Sequence, residues 1–366
     1  MKIKEITSFL EQVAPPSYQE SYDNAGFITG DPQAELTGAL LSLDCTEAIV
    51  QEAIDTGCNL IIAHHPIVFR GLKSLTGRNY VERTVLKAIK ADIAIYAIHT
   101  NLDHVHTGVN SMIARRLGLQ KARILQPKKE ILSKITFFVP TADTDRVLEA
   151  IYKTGAGQIG NYSHCSFRVE GTGTFKPGDG ATPHIGQQGG AMERVQENRV
   201  ELMFPSHLSG AVIQAMQQAH PYEEVAYYLH SLENTNQEVG AGMIAELPQA
   251  MEEEAFLRHL KESMQVSVIR HTALRGKKIR KVAVCGGAGG FLLNTAVGKG
   301  ADIFITADYK YHEFFDADHR IIIADIGHYE SEQFTKELLF ELLRENFANF
   351  TPRLSEVNTN PINYFI

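Results

Sequence analysis

The chain has 366 residues, 44% of them hydrophobic and 21% charged, with a formal net charge of −8. That composition suits a globular protein with a sizeable core and room for two or three domains. It offers no Lys/Arg-rich tract for nucleic acid and no apolar run long enough for a membrane span. The N-terminus, Met1-Lys-Ile-Lys-Glu-Ile6, turns charged at once, and Cys45, Cys58, Cys165 and Cys285 form no CxxC pair. Buried thiols in a reducing compartment are therefore expected, not a disulfide frame or a thiolate zinc site, and the expected location is cytoplasmic.

Ile3, Ile6, Leu10 and Val13 recur at helical spacing, and Pro15-Pro16 end that helix. From Gly38 the pattern alternates between strand and helix. Residues 39–43 read as a strand, Thr46 as an N-cap, and Gly57 as the C′ residue of the next helix. The run Leu60-Ile-Ile-Ala63 is too short for a helix and stops on His64-His65-Pro66. It predicts a buried strand whose tip presents paired imidazoles. Neighbouring side chains on a strand point to opposite faces, so both can serve one site only where the chain is leaving the strand, and Pro66 marks that point. A helix over 80–90, a strand over 93–98 running out into His99-Thr-Asn-Leu-Asp103, and a helix over 109–117 follow.

After Pro127 the order becomes βαββαβ, with strands near 135–139, 163–169, 199–204 and 225–229. That is the split-βαβ, ferredoxin-like pattern. The Gly/Pro-rich stretch 171–190 reads as a long mobile loop, either linker or functional flap. The βα style returns at about Val239, with a helix around Phe256 and Leu260, and a strand 281–285 entering Gly286-Gly-Ala-Gly-Gly290. A strand near 303–307 precedes Asp308, a helix is expected at 311–315, and a strand 321–326 leads into Gly327-His328 and one long helix to about Phe347. The two flanks repeat strand, turn, helix, glycine, strand. The expected class is therefore α/β: lobe one over 1–128, an inserted domain over 129–237, and lobe two over 238–366.

His328 and Glu332 stand at i and i+4 and share one helical face. With His64, His65 and Asp103, three strand tips present imidazole or carboxylate, and the tips of parallel strands share one sheet edge. Three nitrogens and two carboxylates are too many for one catalytic zinc. They suit two ions about 4 Å apart with open positions. His64 is expected to pair with His328 and His65 with Asp103, with Glu332 bridging. His99, Asp308 and His312 are candidates for orienting ligands or substrate. The donor set suits zinc first, and manganese, iron or cobalt also. The Gly286–Gly290 stretch fits either a phosphate cradle at a helix start or a tight packing turn.

Ile62-Ala-His-His-Pro66, His99-Thr-Asn-Leu-Asp103, Thr306-Ala-Asp-Tyr-Lys-Tyr-His312 and Gly327-His-Tyr-Glu-Ser-Glu332 resemble the signature blocks of the NGG-interacting-factor-three family, whose members are often called GTP cyclohydrolase I type 2 homologs. Tyr22-Asp-Asn-Ala-Gly26 resembles its N-terminal block, with Tyr22 where many members carry Trp. The resemblance implies a dinuclear metal centre at the five positions and a toroidal homohexamer. The middle region, with Gly155-Ala-Gly and His220-Pro-Tyr-Glu-Glu224, resembles the PII/CutA-like insert of the longer, YqfO-type bacterial members. Two functions follow as expectations. One is a metal-dependent hydrolase of a nucleotide, pterin precursor or other phosphorylated small molecule, using metal-bound water because the motifs offer no free carboxylate as general base. The other is a regulatory or metal-handling protein whose insert senses a small ligand. A passive scaffold would leave five ligand-type residues at strand tips unexplained.

Overall fold

The apolar run ahead of the paired histidines forms the strand Leu60–Ala63, every residue of it buried, in a computed structural model that describes residues 1–365. Across its sheet the order is Gly26–Thr29, Ala94–Ala97, Leu60–Ala63, Ala39–Ser42 and Arg353–Leu354. All neighbours run parallel except the first pair. Parallel strands need crossovers, and local chemistry supplies them. Thr46 accepts a hydrogen bond from the Ile49 N–H to start helix Glu47–Thr56, and Gly57 ends it in the left-handed region at φ 71°. Asn79 caps helix Tyr80–Lys90 in the same way. Ile49 and Ala53 from one helix and Val85 and Ala88 from the other pack on Leu40, Ile61 and Ile95. Each buried Val, Leu or Ile side chain among them contributes about 1.5–3 kcal/mol against the entropy of ordering it.

The second sheet has the order Arg270–His271, Ile322–Asp325, Ile303–Ala307, Ile279–Ala288, Asn236–Met251 and Gln120–Lys128. Its three central strands are parallel. Each flank lends the other an edge strand: Gln120–Lys128 joins the second sheet and Arg353–Leu354 the first. The flanks therefore form one compact unit, Met1–Pro127 together with the chain from Gln237 onward. Several expected elements differ in form. Residues 100–104 are a short helix, Thr100–His104, and residues 311–317 a 3-10 turn. The expected long C-terminal helix is two, His328–Glu332 and Thr335–Asn346. Between them the Phe334 ring turns inward beneath the Arg116 guanidinium, 3.4 Å from it.

Lys128–Asn236 is the other compact unit. Its four strands, in the order Phe167–Phe175, Glu193–Pro205, Leu132–Pro140 and Tyr227–Leu232, are all antiparallel. Helices Thr144–Tyr152 and Ser209–Ala219 pack Val147, Ile151, Val212 and Met216 on Phe137, Val200 and Phe204 of the sheet. The first five residues of the stretch expected as loop, 171–175, are strand, because Phe167–Phe175 pairs continuously with residues 193–201, while 176–190 is loop as expected.

Among the described residues no helix is long and apolar enough to cross a membrane.

Candidate metal centre

Strand Leu60–Ala63 delivers His64 and His65 to one place because the chain leaves the strand there, and their ring centroids lie 4.9 Å apart. His64 is fully buried, and its Nδ1–H donates to the Ile98 carbonyl at 2.8 Å. A carbonyl can only accept, so Nε2 carries the lone pair. That atom faces Asp103 Oδ1 at 3.6 Å and Glu332 Oε2 at 4.0 Å. Both His64 Nε2 and Asp103 Oδ1 are buried without a hydrogen-bond partner. His65 Nδ1–H donates to Asp44 Oδ1 at 2.8 Å. Its Nε2 lies 3.0 Å from Glu332 Oε2 and 3.3 Å from His328 Nε2.

The second sheet supplies the other side. Gly327, at φ 91°, turns the chain off strand Ile322–Asp325, and helix His328–Glu332 then aligns its two end residues. His328 Nε2 sits 3.1 Å from Glu332 Oε2, while its Nδ1–H donates to Asp308 Oδ2 at 2.7 Å. Asp308 holds that position in the left-handed region at φ 58°, a cost of about 1–2 kcal/mol for a residue with a Cβ. His65 Nε2, His328 Nε2 and Glu332 Oε2 thus converge with both Nδ1 protons already committed to carboxylates. Three acceptors so placed repel one another unless a proton or a cation lies among them.

The electrostatics express that demand. Burial pushes His64 down to about 3. Burial also opposes charge on His65, but its hydrogen bonds to Asp44 and Glu332 raise it to about 9. His328 is raised to about 11 against the same penalty by Asp308 and Glu332. Burial would raise Glu332, yet His328 and His65 hold it well below the usual carboxylate range. Asp103 is held well above that range by burial and by the Glu332 charge. The cluster favours positive charge at its centre, the condition for binding a cation.

Among the described residues three groups have ligand atoms within 4.8 Å of one another: His64, His65 and His99; His65, His328 and Glu332; His64, Asp103 and Glu332. The fourth imidazole, His99, donates its Nδ1–H to Asp23 Oδ1 at 2.7 Å. These distances change the expected pairing: His64 goes with Asp103 and His65 with His328, and Glu332 belongs to both groups. Asp308 orients His328. His312 belongs to none of the groups; its ring lies 5.1 Å from Tyr311 and stacks on Phe315 at 6.4 Å.

Sequence reasoning missed Asp44, Asp23 and Thr359, whose hydroxyl donates to Asp44 Oδ2 at 2.6 Å. Asp44 was findable, since it stands just past strand Ala39–Ser42 on the same sheet edge as His64. The glycine stretch 286–290 is a packing turn. Its N–H groups on Gly286, Gly287 and Gly289 donate to Asn110, Ser331 and Thr306, leaving none of those three for a phosphate. A Cβ on Gly287 would meet Glu332 Oε1 at 2.6 Å, so glycine here lets the loop close on the carboxylate. The cluster forms one wall of a cavity of about 720 Å³, also lined by Tyr22, Phe69, Phe291, Tyr329 and Ile362.

Comparison with known proteins agrees in extent. The family described as Duf34/NIF3 (NGG1p interacting factor 3) matches residues 1–361. A "GTP cyclohydrolase 1 type 2 homolog" from Halalkalibacterium halodurans is 40% identical over 364 residues, covering 98% of each chain. A protein of that name from Bacillus subtilis is 37% identical, covering 99% of this chain and 98% of its own. Among solved structures, a Bacillus cereus protein related to NIF3 superposes with a TM-score of 0.86 at 39% identity, covering 100% of this chain and 99% of its own. With a match spanning both flanks and the region between them, the chain belongs to the Duf34/NIF3 (NGG1p interacting factor 3) family.

Proposed function

We propose that this chain is a dinuclear divalent-metal protein and a hydrolase of a small phosphorylated molecule, with a nucleotide or pterin precursor as the leading substrate class. The observation that carries it is the convergence of His65 Nε2, His328 Nε2 and Glu332 Oε2 within 3.3 Å, beside the partnerless pair His64 Nε2 and Asp103 Oδ1. The donors fit the metals expected: imidazole nitrogens and carboxylate oxygens suit zinc, manganese, iron or cobalt, with zinc first. His64 and Asp103 would hold one ion, His65 and His328 the other, and Glu332 both. Such a pair supplies Lewis-acid polarisation of a phosphoryl or carbonyl oxygen. The chain's own residues supply the rest. Asp44 and Asp308 fix two imidazoles by their Nδ1 protons, and the Ile98 carbonyl fixes His64. The exposed rings of Tyr22, Phe69 and Phe291 line a cavity large enough for a nucleotide-sized molecule.

The family's relatives bear the name GTP cyclohydrolase 1 type 2 homolog, which is why nucleotide and pterin substrates head the list. We read the Lys128–Asn236 unit as ferredoxin-like and PII/CutA-like, on its all-antiparallel strand order, and the working assembly as a cytoplasmic homohexamer. Regulation or metal handling without turnover is the second reading. It is favoured by one feature: Asp23, Asp44 and Asp308 are all committed to histidines, so none is a free general base. Metal-loaded protein screened against nucleotides and phosphoesters decides between them. Turnover lost in His65→Ala supports the hydrolase. Two tightly held ions with no turnover of any compound would sink it. Sedimentation tests the hexamer, and a monomer at micromolar concentration with metal present would remove it.

A further inference from the structure

The Lys128–Asn236 unit carries its own pocket of about 410 Å³, walled by Phe138, Phe175, His184 and Tyr222. Glu197 lies within strand Glu193–Pro205 and contributes to the lining, yet it is only 8% exposed. Lys176 is exposed where it lines the pocket and forms no ion pair with Glu197, and other basic side chains of the unit are spent elsewhere: Arg168 on Asp145, Arg199 and Lys134 on Glu201, and Arg146 on Asp143. Among the described residues no cation pairs with Glu197. Across the hairpin Gly173 leaves room for the carboxylate, since a Cβ there would sit 1.9 Å from Glu197 Oε2.

The wall beside it is built as carefully. The Tyr222 hydroxyl is buried with no partner at hydrogen-bonding geometry, and burial followed by the neighbouring Glu197 holds its pKa above the usual phenol range. Tyr222 cannot easily swing away. His220 Nε2–H donates to the Phe138 carbonyl at 2.9 Å, and His220 Nδ1 accepts from the Tyr222 N–H at 3.1 Å. The next residue, Glu223, accepts from the Thr182 N–H at 2.8 Å and pins the 176–192 loop to the same turn. The stretch His220-Pro-Tyr-Glu-Glu224 thus has a local purpose: it sets one wall of the pocket and ties down the loop.

A buried carboxylate without a cation is costly, and such a group is retained where a partner arrives. A metal ion is a poor match, because among the described residues no trio of ligating side chains gathers here. Aromatic faces beside a lone buried anion instead suit an organic cation. We propose that this pocket binds a small organic ammonium compound, with its charged head on Glu197 and its apolar surface against the Tyr222 and Phe175 rings.

The test is calorimetric titration of the full-length chain with choline and putrescine, beside dimethylbutanol (the neutral carbon isostere of choline) and acetate. A cation should bind with a Kd below about 10 mM, and the neutral and anionic probes at least about tenfold more weakly. Glu197→Gln should weaken cation binding about tenfold or more, and Gly173→Ala should do the same by pushing the carboxylate aside. If either variant unfolds in a thermal melt, Tyr222→Leu carries the comparison, with the same loss expected. Equal binding of choline and dimethylbutanol, cation binding unchanged in the folded variants, or no cation binding at all would each overturn the proposal.

Discussion

Two candidate ligand groups meet at Glu332, one adding His64 and Asp103 and the other His65 and His328, and they hold their imidazoles in opposite ways. On one side His64 is sealed in the core and its Nδ1–H faces a neutral carbonyl. On the other, the His328 side chain is 37% exposed, and both it and His65 are backed by carboxylates. Burial with a neutral partner pushes His64 down to about 3, while carboxylate backing lifts His65 to about 9 and His328 to about 11. What stands behind an imidazole therefore decides whether it waits as a neutral donor or as a cation. The sealed group should hold its ion tightly and the open group exchange it, and a timed chelator strip should release close to half the metal first.

Removing the shared carboxylate should have the largest effect. Glu332→Ala takes a contact from both groups, so metal per chain should fall from about two in wild type to well below one. Glu332→Gln keeps one oxygen donor and removes the charge that screens two nearby cations from each other. Normal stoichiometry in Glu332→Ala would move that residue out of both coordination spheres.

Next come the single-group variants, which separate sealed from open. His64→Ala and His328→Ala should each lose about one ion per chain. Only His64→Ala also opens a hole in fully buried structure, which should cost about 2–4 kcal/mol in urea unfolding of the metal-free protein. His328→Ala should stay within about 1 kcal/mol of wild type. Equal destabilisation would erase the contrast.

A smaller effect is expected from the residues behind the ligands. Asp44→Asn should weaken the open group's ion about 10–100-fold while the sealed ion stays. Thr359→Val, one step further back, should cost a few-fold. Loss of both ions together in Asp44→Asn would mean that the groups are not separable.

The residues of the candidate centre were legible in the sequence but their arrangement was not, for a physical reason. A short apolar run ending on histidine, or a glycine followed by His and Glu four apart, is local chemistry that one stretch of chain displays by itself. The partnership of Thr359 with Asp44 spans 315 residues and has no local signature. Pairing His64 with Asp103 needs distances that only the packed sheets supply. The break after Glu332 was hidden because Gln333 and Phe334 continue a helical pattern, and Phe334 leaves it to pack under Arg116. The continuation of the expected 163–169 strand through 171–175 was hidden because Gly171 and Gly173 read as loop, and only pairing across the hairpin shows it.

His99 gives the subtlest test, because it resembles His65 in having an aspartate behind it yet lies in a group without Glu332. Burial works to raise the pKa of Asp23, but it accepts from the His99 ring, from the Thr100 hydroxyl at 2.5 Å and from the Thr100 N–H at 3.0 Å, and these bonds lower it to about 2. A folded pKa below the unfolded value of about 3.9 means stability that is fully present above pH ~4 and is lost as pH falls through 2. After discounting for solvent screening the contribution is about 1 kcal/mol. Asp23→Asn should remove about that much stability at neutral pH and flatten the acid limb of the unfolding curve, while metal content stays at about two per chain. If the variant instead loses an ion at unchanged acid stability, His99 is a ligand whose orientation depends on Asp23, and the open side of the centre is larger than His65 and His328.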